Sequence, residues 1–174
     1  MSKMTFILGG ARSGKSTYAC KLAHKYKKVA FIATCVGLDK EMRERIRLHK
    51  ESRPKHWATF EEDKDLGKLL EKVDNSFDCI LIDCLTLLVS NLILAGYNQE
   101  QIIKKISDML CVLNKKKARV IIVSNEVGLG IVPANKLGRD FRDIAGRVNQ
   151  LVAGSCDEVF FIDAGIALKI KGKK

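Results

Sequence analysis

A glycine-rich turn near the N-terminus constrains the fold of this chain more than any other feature of its sequence. The apolar run TFIL precedes the turn, and Gly9, Gly14, Lys15 and Ser16 satisfy the spacing GxxxxGKS. A helix-like run over 16–26 follows. This order of strand, turn and helix is the context in which the motif predicts a phosphate-binding loop. The alternative is a plain glycine turn with an exposed lysine.

The chemistry of such a loop assigns roles to its residues. Small side chains let backbone N–H groups converge on a polyphosphate, and the following helix adds the positive end of its dipole. We expect Lys15 to reach the terminal phosphates, and the Ser16 hydroxyl to bind a Mg²⁺ ion that bridges two phosphate oxygens. The loop residues predicted to bind the nucleotide are Gly9, Gly10, Ala11, Arg12, Ser13, Gly14, Lys15 and Ser16.

Length and composition favour one globular domain that covers residues 1–174. A hydrophobic share of 47% with 29% charged residues is ordinary for a globular protein. Every apolar run is shorter than the roughly 18 residues that a membrane span needs, and the N-terminus leads directly into a strand rather than a signal peptide. We therefore expect a cytoplasmic protein without a membrane span.

The formal net charge of +11 raises the question of nucleic-acid binding. Many of the lysines lie in 25–28, 115–117 and 169–174, at expected helix ends or a frayed terminus. Lysines there favour the helix dipole and solubility. The chain has no basic stripe interleaved with aromatic residues, which is the pattern that stacks on bases. Nucleic acid is therefore not the expected partner.

The six cysteines form neither a CxxC pair nor a Cys/His group with zinc spacing. Several of them lie in or beside apolar runs, where a reduced cysteine behaves as a small hydrophobic residue. We expect free, mostly buried thiols, with no disulfide and no structural zinc.

Strand-like runs alternate with helix-like runs along most of the chain. This pattern predicts an α/β fold, a P-loop NTPase-like domain with a mainly parallel sheet flanked by helices. Strands are predicted at 29–34, 56–60, 79–83 and 119–124, and helices at 39–50, 85–94, 99–113 and about 135–153. Asn98 is the expected N-cap of the helix at 99–113, and a further helix with an acidic first turn is expected from Glu61. An antiparallel pair, 157–163 with 164–170, closes the C-terminal end.

The strand at 79–83 is a continuous apolar run that ends in Asp83. Such an aspartate is the usual companion of a phosphate-binding loop, where it helps to hold the hydrated Mg²⁺. Together with the loop, the position of Asp83 predicts a metal ligand that acts with Ser16.

His49 shares the apolar stripe of the helix predicted at 39–50 with Met42 and Ile46. A histidine that faces inward is more often a hydrogen-bonded core residue than a catalyst. Periodicity alone leaves both roles open.

The segment that follows the strand at 119–124 begins SNEVGLGIVP. It is too polar and glycine-rich at its start for a simple crossover, yet too apolar in IVP for a solvated linker. We therefore expect a functional loop. Beyond it, Arg139, Arg142 and Arg147 are spaced by three and five residues, so they do not all share one helix face.

Several short segments of this sequence together resemble one family closely, the bifunctional adenosylcobinamide kinase and adenosylcobinamide-phosphate guanylyltransferase of cobalamin assembly. The resemblance spans nearly the whole chain. It rests on GGARSGKS at 9–16, IAT at 32–34, RIRLHKESRP at 45–54, DCLTLLVSN at 83–91, and SNEVGLGIVP through FRDIAGRVNQ at 124–150. One departure is Leu88, where many relatives carry tryptophan, and we interpret it as a packing exchange.

The resemblance implies two reactions. A nucleoside triphosphate, ATP or GTP, phosphorylates the aminopropanol hydroxyl of adenosylcobinamide, and GTP then donates GMP to that phosphate with release of pyrophosphate. It also implies a GMP-histidine intermediate, and the family histidine falls on His49. The further nucleotide contacts that it implies are at Thr34, Cys35, Val36, Glu51, Ser52, Arg53, Pro54, Glu61 and Asp83. Relatives tend to form trimers that bind the corrinoid near a subunit boundary.

Two other hypotheses are compatible with the sequence motifs. One is a small-molecule kinase without nucleotidyl transfer, and the other is a regulatory nucleotide switch or a basic nucleic-acid partner. GTP labelled at its α-phosphate separates them, because only the bifunctional enzyme would acquire an acid-labile label. The preferred phosphoryl donor, ATP or GTP, stays open.

Overall fold

A single seven-stranded sheet forms the centre of the computed structural model, which describes residues 3–35, 44, 47, 50 and 53–172. The strands are β1 (Met4–Gly9), β2 (Val29–Ala33), β3 (Ala58–Glu61), β4 (Cys79–Asp83), β5 (Arg119–Asn125), β6 (Glu158–Asp163) and β7 (Ile166–Lys171). The helices are α1 (Lys15–Ala23), α2 (Leu66–Lys72), α3 (Leu85–Leu94), α4 (Gln99–Lys115) and α5 (Lys136–Ser155).

The strand order is β3-β2-β4-β5-β1-β6-β7, and every neighbouring pair is parallel except β6 with β7. β5 therefore separates β1, which leads into the glycine-rich turn, from β4, which ends in Asp83. The register places Gly9 opposite Asn125 and Asp83 opposite Val123. Because the carboxyl ends of parallel strands meet at one edge, these strand ends share the edge where such sheets bind ligands.

Helices cover both faces of the sheet. On one face α2, α3, α4 and α5 pack over a core that includes Phe6, Ile82 and Ile122, all of which are fully buried. On the other face α1 packs over Ile7 and Val123. Burial on both faces explains why the central strands are continuous apolar runs in the sequence rather than alternating ones. No helix in the described part of the chain is long and apolar enough to cross a bilayer.

The predicted α/β architecture, with its antiparallel C-terminal pair, is confirmed. The predicted bounds of β4 and α3 agree with the structure. Asn98 caps α4, since its side chain accepts from the Gln101 N–H at 3.0 Å while Gln101 Oε1 accepts from the Asn98 N–H at 2.9 Å. The helix predicted at 39–50 falls largely outside the described residues.

The helix predicted from Glu61 was wrong. Glu61 is the last residue of β3 and pairs with Ala33, and α2 begins only at Leu66. The acidic residues before α2 form a turn instead, in which Glu62 Oε1 accepts from the N–H groups of Lys64 at 2.9 Å and Asp65 at 2.8 Å. A carboxylate satisfies backbone donors in a turn as well as in a first helical turn, so composition could not separate the two.

The prediction of a frayed lysine tail was also wrong in part, because β7 extends to Lys171. Lys171 Nζ donates to the carbonyls of Ala153 and Gly154 at 2.8 and 2.9 Å, which satisfies acceptors at the end of α5. Lys116 is buried and donates to the Val73 carbonyl at 2.7 Å. Part of the positive charge therefore holds the fold together.

Glu158, on β6, holds an ion-pair cluster that makes stability depend on pH. A hydrogen bond from Lys169 Nζ at 2.9 Å, and then one from Arg119, lowers the pKa of Glu158 from 4.5 to about 2. Its carboxylate stabilises the fold above about pH 4.5, and this contribution is lost as the pH falls towards 2. We expect Glu158→Gln to lower the free energy of unfolding at neutral pH by about 2 kcal/mol.

Urea unfolding of both proteins between about pH 7 and pH 2.5 measures this effect. The variant should lose less stability than the wild type on acidification, so the two curves should converge at low pH. Glu100→Gln, which changes an exposed acid on α4, is the control. Parallel curves for wild type and Glu158→Gln would contradict the assignment.

Candidate active site

The turn between β1 and α1 has a tight backbone that requires glycine at two positions, Gly9 and Gly14. Arg12 and Gly14 have positive φ angles of 57° and 93°. A Cβ atom at Gly9 would lie 2.5 Å from the Ile162 carbonyl oxygen, so a side chain there is excluded. Left-handed turns of this kind direct backbone N–H groups into a concave anion site, and the start of α1 adds its dipole. The predicted phosphate-binding loop therefore has the required shape.

Lys15 lies in this loop, nearly buried, and donates from Nζ to the Gly10 carbonyl at 2.9 Å. An ammonium has three N–H donors, so two can turn to phosphate oxygens. Burial lowers the pKa of Lys15, while Cys84 and Asp83 oppose the shift. Ser13 Oγ is also buried and has no partner among the described atoms. A polyphosphate would satisfy both groups.

Asp83 is the half-buried last residue of β4, and its charge acts on side chains from several elements. The pKa values of Cys20 on α1 and of Cys35 are raised by burial and then by Asp83. Burial lowers the pKa of Arg53, and Asp83 is the first of the groups that oppose this. The charge of Asp83 therefore contributes to the electrostatics of Lys15 as well as of these side chains.

Thr34 fixes the end of β4 in place. Its buried hydroxyl donates to the Cys84 carbonyl at 2.6 Å and accepts from the Cys84 N–H at 2.9 Å, next to a cis Asp83–Cys84 peptide. Asn91 Nδ2 donates to the Thr34 carbonyl at 2.8 Å. The hydroxyl of Thr34 is thus engaged within the protein, which gives this residue a positioning role beside Asp83.

The other predicted nucleotide contacts lie towards β2 and β3 where the structure describes them. The Arg53 guanidinium lies 3.5 Å from the centroid of the Phe31 ring, and Pro54 is half-buried beside it in the chain. Glu61 is exposed and pairs with Lys50 at 2.8 Å. Val36, His49, Glu51 and Ser52 lie outside the described residues.

The prediction of free thiols holds for all six cysteines. Cys79, Cys84 and Cys156 are buried, and burial raises the pKa of each thiol to about 12. Cys20 and Cys35 are half-buried and Cys111 is exposed. Across residues 3–35 and 53–172 no three His, Cys, Asp or Glu side chains group closely enough to hold a metal ion by themselves.

A polar network at the end of β5 was not predicted. Thr86 Oγ1 lies 2.9 Å from Ser124 Oγ and accepts from the Asn125 N–H at 2.6 Å. Asn149 Nδ2 donates to the Asn125 carbonyl at 3.1 Å, and the Glu126 N–H donates to the Gly9 carbonyl at 3.0 Å. The signal in the sequence was the change from apolar residues to Ser-Asn-Glu at the end of a buried strand.

Comparison with known proteins gives one consistent family. The sequence model described as cobinamide kinase / cobinamide phosphate guanyltransferase matches residues 5–170. The bifunctional adenosylcobalamin biosynthesis protein CobU of Salmonella typhimurium is 43% identical over 180 residues, which cover 97% of this chain and 99% of the relative. CobU of Escherichia coli is 40% identical, with 97% and 99% covered. CobP of Pseudomonas aeruginosa is 42% identical, with 96% of each covered.

Solved structures agree on the fold alone. The RadB recombinase superposes with a TM-score of 0.52 at 20% identity, covering 91% of this chain and 73% of its own. The KaiC-like protein PH0186 of Pyrococcus horikoshii gives 0.58 at 12% identity, with 99% and 80% covered. The fold is that of P-loop NTPases.

Proposed function

Because this chain belongs to the cobinamide kinase / cobinamide phosphate guanyltransferase family, it is a bifunctional enzyme of cobalamin biosynthesis, and we propose that its phosphate-binding loop serves both reactions. The observation that carries this proposal is the loop itself, in which Lys15 lies within electrostatic reach of Asp83. The substrates are adenosylcobinamide with ATP or GTP, and then adenosylcobinamide phosphate with GTP. Neither the kinase without nucleotidyl transfer nor the nucleotide switch fits this family.

In the kinase reaction the aminopropanol hydroxyl oxygen of adenosylcobinamide attacks the γ-phosphorus. The bond from the γ-phosphorus to the bridging oxygen breaks, the nucleoside diphosphate leaves, and the hydroxyl proton passes to solvent. Charge spreads over the phosphoryl oxygens during this step, and little other chemistry is required of the protein. Lys15 and the backbone N–H groups of the loop supply fixed positive charge where it is needed.

In the guanylyl transfer we propose that His49 attacks the α-phosphorus of GTP, forming a P–N bond as pyrophosphate leaves. An oxygen of adenosylcobinamide phosphate then attacks the same phosphorus and releases the histidine. The neutral imidazole is the nucleophile, and it divides one hard transfer into two easier ones. The family resemblance of RIRLHKESRP supports this role.

We further propose that the guanosine of GTP binds on the β2–β3 side of the loop. The residues assigned to it by resemblance are Thr34, Cys35, Val36, Glu51, Ser52, Arg53 and Pro54. The same resemblance puts Glu61 near the nucleotide. Two described members of this set, Arg53 and Cys35, favour the proposal because the charge of Asp83 acts on both.

The residues present fit a Mg²⁺ ion bound with the nucleotide. Mg²⁺ usually takes one or two protein oxygens and completes its shell with phosphates and waters, so a site without three acidic ligands suits it. Ser16, in the first turn of α1, and Asp83 would hold it. The ion would offset negative charge on the phosphates.

Asp83→Asn tests this metal role. We expect activity to fall about 10-fold to 100-fold, and the Mg²⁺ concentration for half-maximal activity to rise, because an amide is a poorer ligand than a carboxylate. The half-buried position and the similar shape of asparagine should leave the melting temperature close to that of the wild type. Mg²⁺ titrations of the kinase reaction measure the effect, with Asp108→Asn on the exposed face of α4 as control. A lower melting temperature with unchanged Mg²⁺ dependence would make Asp83 structural.

The bifunctional assignment is tested by labelling. The protein is incubated with GTP labelled at the α-phosphate or at the γ-phosphate, with Mg²⁺ and without corrinoid. Only the α-label should become bound to protein, and it should be released by acid and by adenosylcobinamide phosphate. If the protein phosphorylates adenosylcobinamide but acquires no α-label, it is a kinase without guanylyltransferase activity.

We propose that the enzyme is a cytoplasmic homotrimer that binds no nucleic acid. Apolar side chains in the segment after β5, at the start of α5 and along β7 support association, since exposed apolar surface of this kind often marks an interface. The exposed residues are Leu129, Ile131, Val132, Leu137, Ile166, Leu168 and Ile170. The molar mass in solution measures the oligomeric state.

A further inference from the structure

Asn125 occupies a central place at the edge of the sheet that carries the proposed nucleotide site. It is the last residue of β5, the strand between β1 and β4, and it lies opposite Gly9 at the start of the phosphate-binding loop. Strand alternation puts its side chain on the same face as Ile121 and Val123, which pack with α1. Asn125 therefore faces the side of the sheet that the start of α1 covers.

The backbone of Asn125 is held on both sides by buried side chains. Its N–H donates to Thr86 Oγ1 at 2.6 Å, and its carbonyl accepts from Asn149 Nδ2 at 3.1 Å. Thr86 and Asn149 are only 4% and 5% exposed. The next N–H, of Glu126, donates to the Gly9 carbonyl at 3.0 Å and ties the strand end to the loop.

This fixation has a cost. Asn149 Oδ1 is buried and has no hydrogen-bond partner among the described atoms, and an unsatisfied buried acceptor destabilises a fold. A role for Asn149 in packing alone would be served as well by an apolar side chain. The two buried polar side chains, Thr86 and Asn149, are better explained if their role is to fix the orientation of Asn125.

The side-chain amide of Asn125, by contrast, makes no hydrogen bond to any described residue and is only half-buried. The neighbouring carboxylate of Glu126 is engaged, because its Oε1 accepts from the Gly128 N–H at 2.7 Å. Asn125 thus has a fixed backbone and an available amide. It ends the strand that lies between β1, which leads into the phosphate-binding loop, and β4, which ends in Asp83. An available donor on a rigid support is the arrangement that a bound anion requires.

We propose that Asn125 is a further catalytic residue, whose Nδ2 donates a hydrogen bond to the terminal phosphate of the bound nucleoside triphosphate. The inference rests on the proposed function, since it takes the phosphate-binding loop as the nucleotide site. Negative charge develops on the terminal phosphoryl oxygens during transfer, and a fixed neutral donor stabilises it without solvent reorganisation. Thr86 and Asn149 are positioning residues that act through the backbone of Asn125.

The test compares a triphosphate with a diphosphate. Equilibrium binding of α,β-methylene-GTP, which cannot pass GMP to His49, and of GDP is measured with Mg²⁺ and without corrinoid. The proteins are wild type, Asn125→Ala, Asn125→Asp and the control Asn114→Ala, an exposed asparagine on α4. We expect Asn125→Ala to weaken triphosphate binding about tenfold, because a bond to a charged group is lost, while GDP binding is unchanged. The kcat of phosphorylation should fall about 100-fold.

Asn125→Asp separates this role from a structural one. Aspartate fills the same space as asparagine, so a structural role predicts a milder effect than that of alanine. A contact with phosphate predicts a stronger effect, because the new carboxylate repels the terminal phosphate. A ratio of triphosphate to diphosphate affinity that stays at the wild-type value in both variants would overturn the inference. Failure of the wild type to bind either nucleotide would instead overturn the proposed function.

Discussion

Replacing Lys15 by alanine should abolish phosphorylation of adenosylcobinamide, with a loss of about 1,000-fold or more, and should weaken guanylyl transfer. The ammonium lies in the phosphate-binding loop, nearly buried, and only its bond to Gly10 is made within the described protein. Its removal leaves phosphate charge uncompensated in a site of low dielectric, where that charge is most costly. The guanylyl step should lose less if His49 supplies part of its catalysis.

Stability provides the control for Lys15. Burial lowers the pKa of Lys15, so the fold disfavours this charge, and its removal should leave the melting temperature unchanged or slightly higher. Loss of phosphorylation with weakened guanylyl transfer, in a protein that melts normally, is therefore the expected result. Lys21→Ala, an exposed lysine on the same helix, should retain both activities. Near-normal rates in Lys15→Ala would refute the assignment of the loop.

Replacing His49 by alanine or asparagine should separate the two reactions. Guanylyl transfer and labelling by α-labelled GTP should fall below detection, because the imidazole that forms the P–N bond is absent. Phosphorylation needs no such intermediate, because the substrate hydroxyl attacks the γ-phosphorus directly. A substantial part of the kinase activity should therefore remain.

If His49 is instead a core residue, a different result is expected for the alanine variant. A buried histidine replaced by alanine would lower the melting temperature and damage both reactions together. The two assays are therefore run on one purified variant whose melting temperature is recorded. His56→Ala, at an exposed position nearby in the chain, serves as the matched control. Retained GMP labelling in His49→Ala would exclude the nucleophile.

Short sequence patterns were enough to predict much of the fold and of the phosphate site. The glycine spacing predicted the loop because only glycine allows the approach seen at Gly9 and the positive φ at Gly14. The apolar run ending in Asp83 predicted β4, since strands buried on both faces lose their alternation. Where one residue type serves two local structures, prediction failed, as it did for the acidic turn after Glu61.

The sequence by itself thus determined an α/β chain with a phosphate-binding loop and a companion aspartate, because backbone sterics and hydrophobic periodicity act over a few residues. Only the tertiary structure decided that β5 lies between β1 and β4, and that Thr86 and Asn149 meet at Asn125. It likewise brought Thr34 to the end of β4. These contacts join residues far apart in the chain, and strand order is set by how the helices bury both faces of the sheet.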